Sequence, residues 1–195
     1  MTMAENSVIA LFPLHTVLFP GGPLPLRIFE TRYTDMVRRC MREQQPFGVV
    51  LIQEGDEAGP VATTVTVGCS ARIADFYRLQ DGLLGISCVG ESKFRVQRVW
   101  RAPDGLNMGE VAWLDSEPAL PLPAEYARLG ATVRRAIDEL SQQYQHVEKN
   151  FDDAAWVGAR LTELLPIELI DKQVLLELDD PLVRLDTLLG LVPAE

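Results

Sequence analysis

Ser92 and Lys93 are the nearest this 195-residue chain comes to an activated nucleophile, since a lysine amine activates a serine hydroxyl only within hydrogen-bond reach. They are neighbours on a strand-like run, where successive side chains face opposite sides of a sheet, so they form no dyad. No G-x-S-x-G elbow occurs. The only lysines, Lys93, Lys149 and Lys172, follow Ser, Glu and Asp, which leaves no G-x-x-x-x-G-K loop to cradle a nucleotide phosphate. The two histidines, His15 in a proline-rich loop and His146 after a helical stretch, belong to no H-E-x-x-H pattern and read as loop or surface residues. Cys40, Cys69 and Cys88 are odd in number, lack C-x-x-C spacing and sit on apolar faces, so they read as buried thiols. The acid pairs Asp152-Asp153 and Asp179-Asp180 precede helical stripes and suit capping better than general acid–base work. The expectation is a chain with no catalytic residue, metal site or cofactor.

The elements that position these residues change character near Pro118. Before it, short runs alternate at period two between glycines and prolines; after it, apolar spacing becomes helical. Strands are expected at Val8 to Leu11, Leu24 to Ile28, Phe47 to Gln53, Val65 to Arg78, Leu83 to Val89, Lys93 to Arg101 and Met108 to Leu114. Along Lys93 to Val99, Phe94 and Val96 face one way while Lys93, Arg95 and Gln97 face the other. One helix interrupts the strands, with Tyr33, Met36, Val37, Cys40 and Met41 on a single stripe. Many short strands with one helix suggest a small closed or nearly closed sheet.

Three prolines in Pro118 to Pro123 favour an extended connector. Beyond it a helix is expected from Ala124 to Tyr144, a second from Asp152 or Asp153 to Pro166, a third after Asp171, and a fourth capped by Asp180 with Pro181 at its first position. The organisation is therefore α+β: a β lobe over 1–117, a connector over 118–123 and a helical bundle over 124–195.

Specific residues carry a family resemblance. Phe12-Pro13-Leu14, Leu18-Phe19-Pro20-Gly21, Leu24-Pro25-Leu26, Ile28-Phe29-Glu30, Arg32-Tyr33 and Phe47-Gly48-Val49-Val50 follow one another in order. Val67-Gly68-Cys69, Ala71-Arg72-Ile73, Gly90, Lys93-Phe94-Arg95-Val96 and, near the end, Lys172-Gln173, Leu175-Leu176-Glu177 and Arg184-Leu185 continue the pattern. The chain resembles the Lon N-terminal domain, the substrate-binding module at the front of Lon proteases, over nearly its whole length. It departs from that pattern at Gly22-Pro23, where relatives often carry a bulky apolar residue. The resemblance implies a PUA-like β-barrel for the first lobe. It also implies a stand-alone, non-catalytic protein that recognises unfolded or tagged polypeptides and serves as adaptor or regulator of ATP-dependent proteolysis, without the ATPase and protease domains. An apolar groove or exposed strand edge would supply the binding surface. The residues expected to form it are Leu18, Phe19, Leu24, Arg27, Phe29, Tyr33, Phe76 and Tyr77. Arg27, between Leu26 and Ile28 on a strand, faces away from both. Glu30 and Arg32 read as helix start and local ion pair.

Charge narrows the partners. The net charge is −10, with 11 basic and 14 acidic residues up to Pro118 and 7 basic and 14 acidic after it. Such acidity repels phosphate backbones, so nucleic acid is not an expected partner. The acidic second lobe supports an alternative in which the chain is a scaffold for a specific basic protein; a small ligand seated between the lobes is a weaker third reading. Met1 to Ser7 has no basic leader region, and no window approaches the roughly 20 apolar residues of a membrane helix, so a cytoplasmic protein is expected.

Overall fold

The computed structural model describes residues 6–55, 57 and 63–192. Met1 to Glu5, which opened the leader argument, lie outside them. The chain divides into two compact units, Met1–Asp115 and Ser116–Glu195.

Among the described residues the first unit contains seven strands: β1 (Asn6–Leu14), β2 (Pro23–Ile28), β3 (Phe47–Glu54), β4 (Thr63–Thr64), β5 (Val67–Arg78), β6 (Leu84–Arg101) and β7 (Asn107–Trp113). Pairing runs β1-β7-β6-β5-β3, and β1 also pairs with β3 in parallel, so the ladder returns to the strand it started from. β4 continues from β3, and β2 pairs antiparallel with the first third of β6.

Both faces of β1 are covered. Ile9 and Leu11 join Val50, Phe94 and Val111 in one cluster, while Ala10, Phe12 and Leu14 join a larger one with Phe47, Val49, Ile86 and the helix α1 (Thr31–Glu43). Such two-sided burial explains the near-continuous apolar run of β3. Phe94 fills the smaller cluster because its neighbours lack side chains. A Cβ on Gly68 would lie 2.7 Å from the tip of the Phe94 ring and 2.3 Å from the Val49 carbonyl oxygen, and one on Gly48 would lie 2.6 Å from the same ring tip.

Tyr33, Met36, Val37 and Cys40 are the buried stripe of α1, as its periodicity requires; Met41, at the stripe's margin, is 40% exposed. The helix ends on Gln44 in the left-handed region, φ 52°, with the Gln44 N–H donating to the Cys40 carbonyl. The expected strands Leu83 to Val89 and Lys93 to Arg101 are one continuous strand, β6. Gly90 does not interrupt it. It is glycine because the Phe19 carbonyl oxygen passes 2.2 Å from where its Cβ would sit. Lys93, expected to face outward, is buried. Cys40, Cys69 and Cys88 are buried free thiols, and burial pushes Cys88 up to about 12.

The second unit begins with a 3-10 turn (Ala124–Tyr126) and holds α2 (Ala127–Glu139), α3 (Ala154–Leu164), α4 (Leu169–Glu177) and α5 (Pro181–Leu189). Its first helix is shorter than the expected Ala124 to Tyr144; beyond Leu140 the chain proceeds by turns that still deliver Tyr144 to the interior, 2% exposed. α3 packs against α2, α4 and α5. Asp153 and Asp180 cap α3 and α5, accepting from the N–H groups of Trp156 and Leu182 at 2.8 Å.

Arg184 of α5 is wholly buried. Its Nη atoms donate to both Glu117 carboxylate oxygens at 2.7 Å, and it also donates to the carbonyls of Leu175 and Leu178 at 2.8 Å. Arg160, equally buried, donates to Glu163 at 2.8 and 2.9 Å.

Candidate functional site

β2 alternates inward and outward side chains: Leu24 and Ile28 are buried, Pro25 and Arg27 exposed. Two concavities flank it and share Pro25, Leu26 and Arg27. The first, about 490 Å³, lies between β2, the end of β1 and the start of α1. Phe12 and Tyr33 line it, their rings stacked at 3.9 Å and 17°, with Leu14, Ile28, Phe29, Glu30 and Glu57 around them. The second, about 550 Å³, lies between β2 and the β5–β6 turn, lined also by Tyr77, Leu79, Gln80 and Asp81.

The second groove follows from sheet register. Tyr77 of β5, Gly85 of β6 and Arg27 of β2 occupy one rung. The Tyr77 ring lies over Gly85, 2.3 Å from where a Cβ would be, so the middle strand contributes a trough instead of a side chain. Arg27 forms an ion pair with Asp81 at 2.5 Å, both side chains largely exposed, which spans this groove and contributes little to stability. Beside the first groove, outside its lining, Arg32 pairs with Glu30 at 2.8 Å, donates to the Gly105 carbonyl at 3.0 Å and lies over the Tyr33 ring. Burial pushes the Tyr33 hydroxyl above its ordinary value, so the ring stays neutral. Glu57 accepts from the His15 N–H at 2.8 Å.

The surface between the grooves therefore presents proline, exposed aromatic rings and a guanidinium, a composition suited to side-chain recognition. Among the described residues no group of three or more His, Cys, Asp or Glu is placed to hold a metal ion.

Residues 8–193 match the family model of the substrate-binding domain of ATP-dependent protease La (Lon). The chain belongs to this family. The Lon substrate-binding match extends to a solved structure, a Lon N-terminal domain protein from Xanthomonas campestris, at 38% identity and TM-score 0.77 over 96% of this chain and 99% of that one. The N-terminal domain of the Mycobacterium avium complex Lon protease, 16% identical with TM-score 0.58, shares the fold. Among full-length relatives, the Lon protease of Cytophaga hutchinsonii is 25% identical over 95% of this chain, which spans 24% of that protein's length. The chain thus corresponds to about a quarter of such relatives. Its architecture is the sheet-rich, five-helix fold of the Lon N-terminal domain.

Within this Lon-family fold the eight residues expected at the surface separate. Arg27, Phe29 and Tyr33 line the first groove and Arg27 and Tyr77 the second. Phe29 is 61% and Phe76 57% exposed; Phe76 shares the next rung with Ile86 and Leu26. Leu18, Phe19 and Leu24 are core, at 4%, 0% and 8%, and so offer nothing to a ligand; Tyr33, at 3%, contributes only the floor of its groove. The correction has a simple cause: the proline loop folds inward, with the Gly21 N–H donating to the Gly90 carbonyl at 2.7 Å. Sequence reading missed Phe12, whose ring stacks on Tyr33, and Asp81, the partner of Arg27. Asp81 sits in the turn between β5 and β6, and nothing local in the sequence announces which strand it faces.

Proposed function

We propose that this chain recognises unfolded or tagged polypeptide, without catalysis of its own, and acts as an adaptor or regulator for ATP-dependent proteolysis. The observation that carries the reading is the pair of grooves on either side of β2, bordered by exposed Phe29 and Tyr77 with Arg27 between them. Large apolar side chains left in water at a concave surface mark a binding site. Membership of a family named for substrate binding supports the same conclusion. In this reading the first unit is the PUA-like barrel, an interpretation the returning strand ladder supports. The second is a helical bundle reached through the connector 118–123. Among the described residues no helix is long and apolar enough to cross a membrane, and the proposed setting is the cytoplasm.

The test is fluorescence anisotropy with one labelled polypeptide in folded and permanently unfolded forms. Selective binding of the unfolded form, weakened in Phe29→Ala and Arg27→Ala proteins whose circular dichroism is unchanged, is the expected result. Equal binding of both forms, or variants that bind as the parent does, would overturn the proposal.

A further inference from the structure

Among the described residues β2 pairs with β6 alone, so its other edge carries no ladder. Such an edge ordinarily invites an extended peptide to add as a further strand, held by main-chain hydrogen bonds. The residues of β2 refuse that mode. The Gly22 carbonyl accepts from the Gly90 N–H at 2.9 Å, while the Gly22 N–H donates to the Phe19 carbonyl; the carbonyl contact sets the alternation, in which Leu24, Leu26 and Ile28 present their main-chain groups to β6. Pro23, Pro25 and Arg27 therefore present theirs to the open edge. Proline has no N–H, so along β2 that edge offers a single donor, Arg27. Prolines placed this way are a device for blunting strand edges.

The side chains, by contrast, are well supplied with concave surface, since Pro25, Leu26 and Arg27 form the ridge between two grooves. The charge of that surface is also one-sided. Among the described residues, Glu30, Glu57 and Asp81 line the grooves against one lining cation, Arg27, itself engaged by Asp81. Arg32 answers Glu30 from outside the lining, and the whole chain carries −10. A ligand bringing lysine or arginine meets attraction here, and one bringing carboxylates meets repulsion.

We propose that the β2 ridge is read through side chains, not by strand addition, and that its occupant is an unfolded segment with aromatic or aliphatic residues flanked by lysine or arginine. The inference rests on the polypeptide-binding reading and specifies its ligand.

The experiment uses the full chain and three labelled peptides sharing one aromatic core: flanked by lysines, flanked by glutamates, and flanked by lysines with alternate backbone amides N-methylated. At low salt the lysine peptide binds roughly two- to fivefold tighter than the glutamate peptide, the range of an exposed ion pair. Added salt closes that gap. Glu57→Lys abolishes the preference while circular dichroism stays unchanged, and Pro25→Val, which restores an edge N–H, gains nothing. N-methylation that weakens binding by more than about tenfold, the sum of several main-chain bonds, would establish strand addition and overturn the proposal. So would equal affinity for the two unmethylated peptides, or a lysine preference that survives Glu57→Lys. If the peptides bind but these discriminations fail, only this inference falls; if none binds, the polypeptide-binding reading falls with it.

Discussion

Replacing Arg184 with methionine tests the electrostatic interior of the second unit. The side chain is 0% exposed and the Glu117 carboxylate it holds is 12% exposed, so Arg184→Met leaves an anion in a poorly solvated place. It also strips the buried carbonyl of Leu175 and the partly buried one of Leu178 of a charged donor. Breaking such a pair from one side costs about 3–5 kcal/mol. Against a typical domain stability of about 5–15 kcal/mol, that is roughly a fifth of the total or more. Removing both charges relieves the stranded anion, so Arg184→Met with Glu117→Leu should cost less than the two single changes added together, by roughly 1–3 kcal/mol. Urea unfolding followed by far-ultraviolet circular dichroism, which reports the helices, supplies all three values. A loss below about 1 kcal/mol for Arg184→Met, or strict additivity in the double variant, would show that water reaches the pair and that the reasoning is wrong.

The remaining predictions concern packing, a helix end and alkaline pH. Gly68→Ala places a methyl against both the Phe94 ring and the fixed Val49 carbonyl; it should destabilise by about 1–3 kcal/mol or more in denaturant titration, while Phe94→Leu in the same chain recovers part of the loss. Gln44→Gly relieves a left-handed residue at the end of α1 and should raise stability by roughly 1 kcal/mol, read as a higher urea midpoint with unchanged slope. The Asp186 carboxylate that accepts the Tyr126 hydroxyl, and burial at Tyr144, push both phenols up to about 12 from an ordinary 10. The unfolded chain therefore releases these protons first. Stability is complete below pH 10 and declines as pH rises toward about 12, visible as a falling denaturant midpoint together with phenolate absorbance that lags until unfolding.

Local periodicity made much of the architecture legible. The α1 stripe, the strand runs and the Asp180-Pro181 helix start depend on residues within one or two turns of each other, and they appear where spacing places them. Errors arise where a distant atom decides. Gly90 reads as punctuation, yet its reason for being glycine is a carbonyl 71 residues earlier in the chain, that of Phe19. The stripe from Tyr126 to Tyr144 fits an unbroken helix, but burial of Tyr144 is met by turns after Leu140. The candidate site shows the same division. Arg27 could be placed outward because strand alternation is local. Phe19 and Phe29, each adjoining the proline-rich stretch, look equivalent in sequence, and only the inward fold of the loop makes one 0% and the other 61% exposed. The Arg184–Glu117 pair joins residues 67 apart and had no sequence signal beyond the charges themselves.

The prolines of β2 have a bearing on self-assembly. An exposed edge with a full row of donors and acceptors is a template on which extended chains stack into cross-β aggregates. A protein whose proposed clients are unfolded polypeptides meets such chains continually. With Pro23 and Pro25 on the open edge, a captured segment finds side-chain grooves but not the regular ladder that would let it recruit the next chain. The same two residues disfavour edge-to-edge pairing of a second copy through β2. Under the proposed function, holding a client and seeding its aggregation are chemically separate events at this surface.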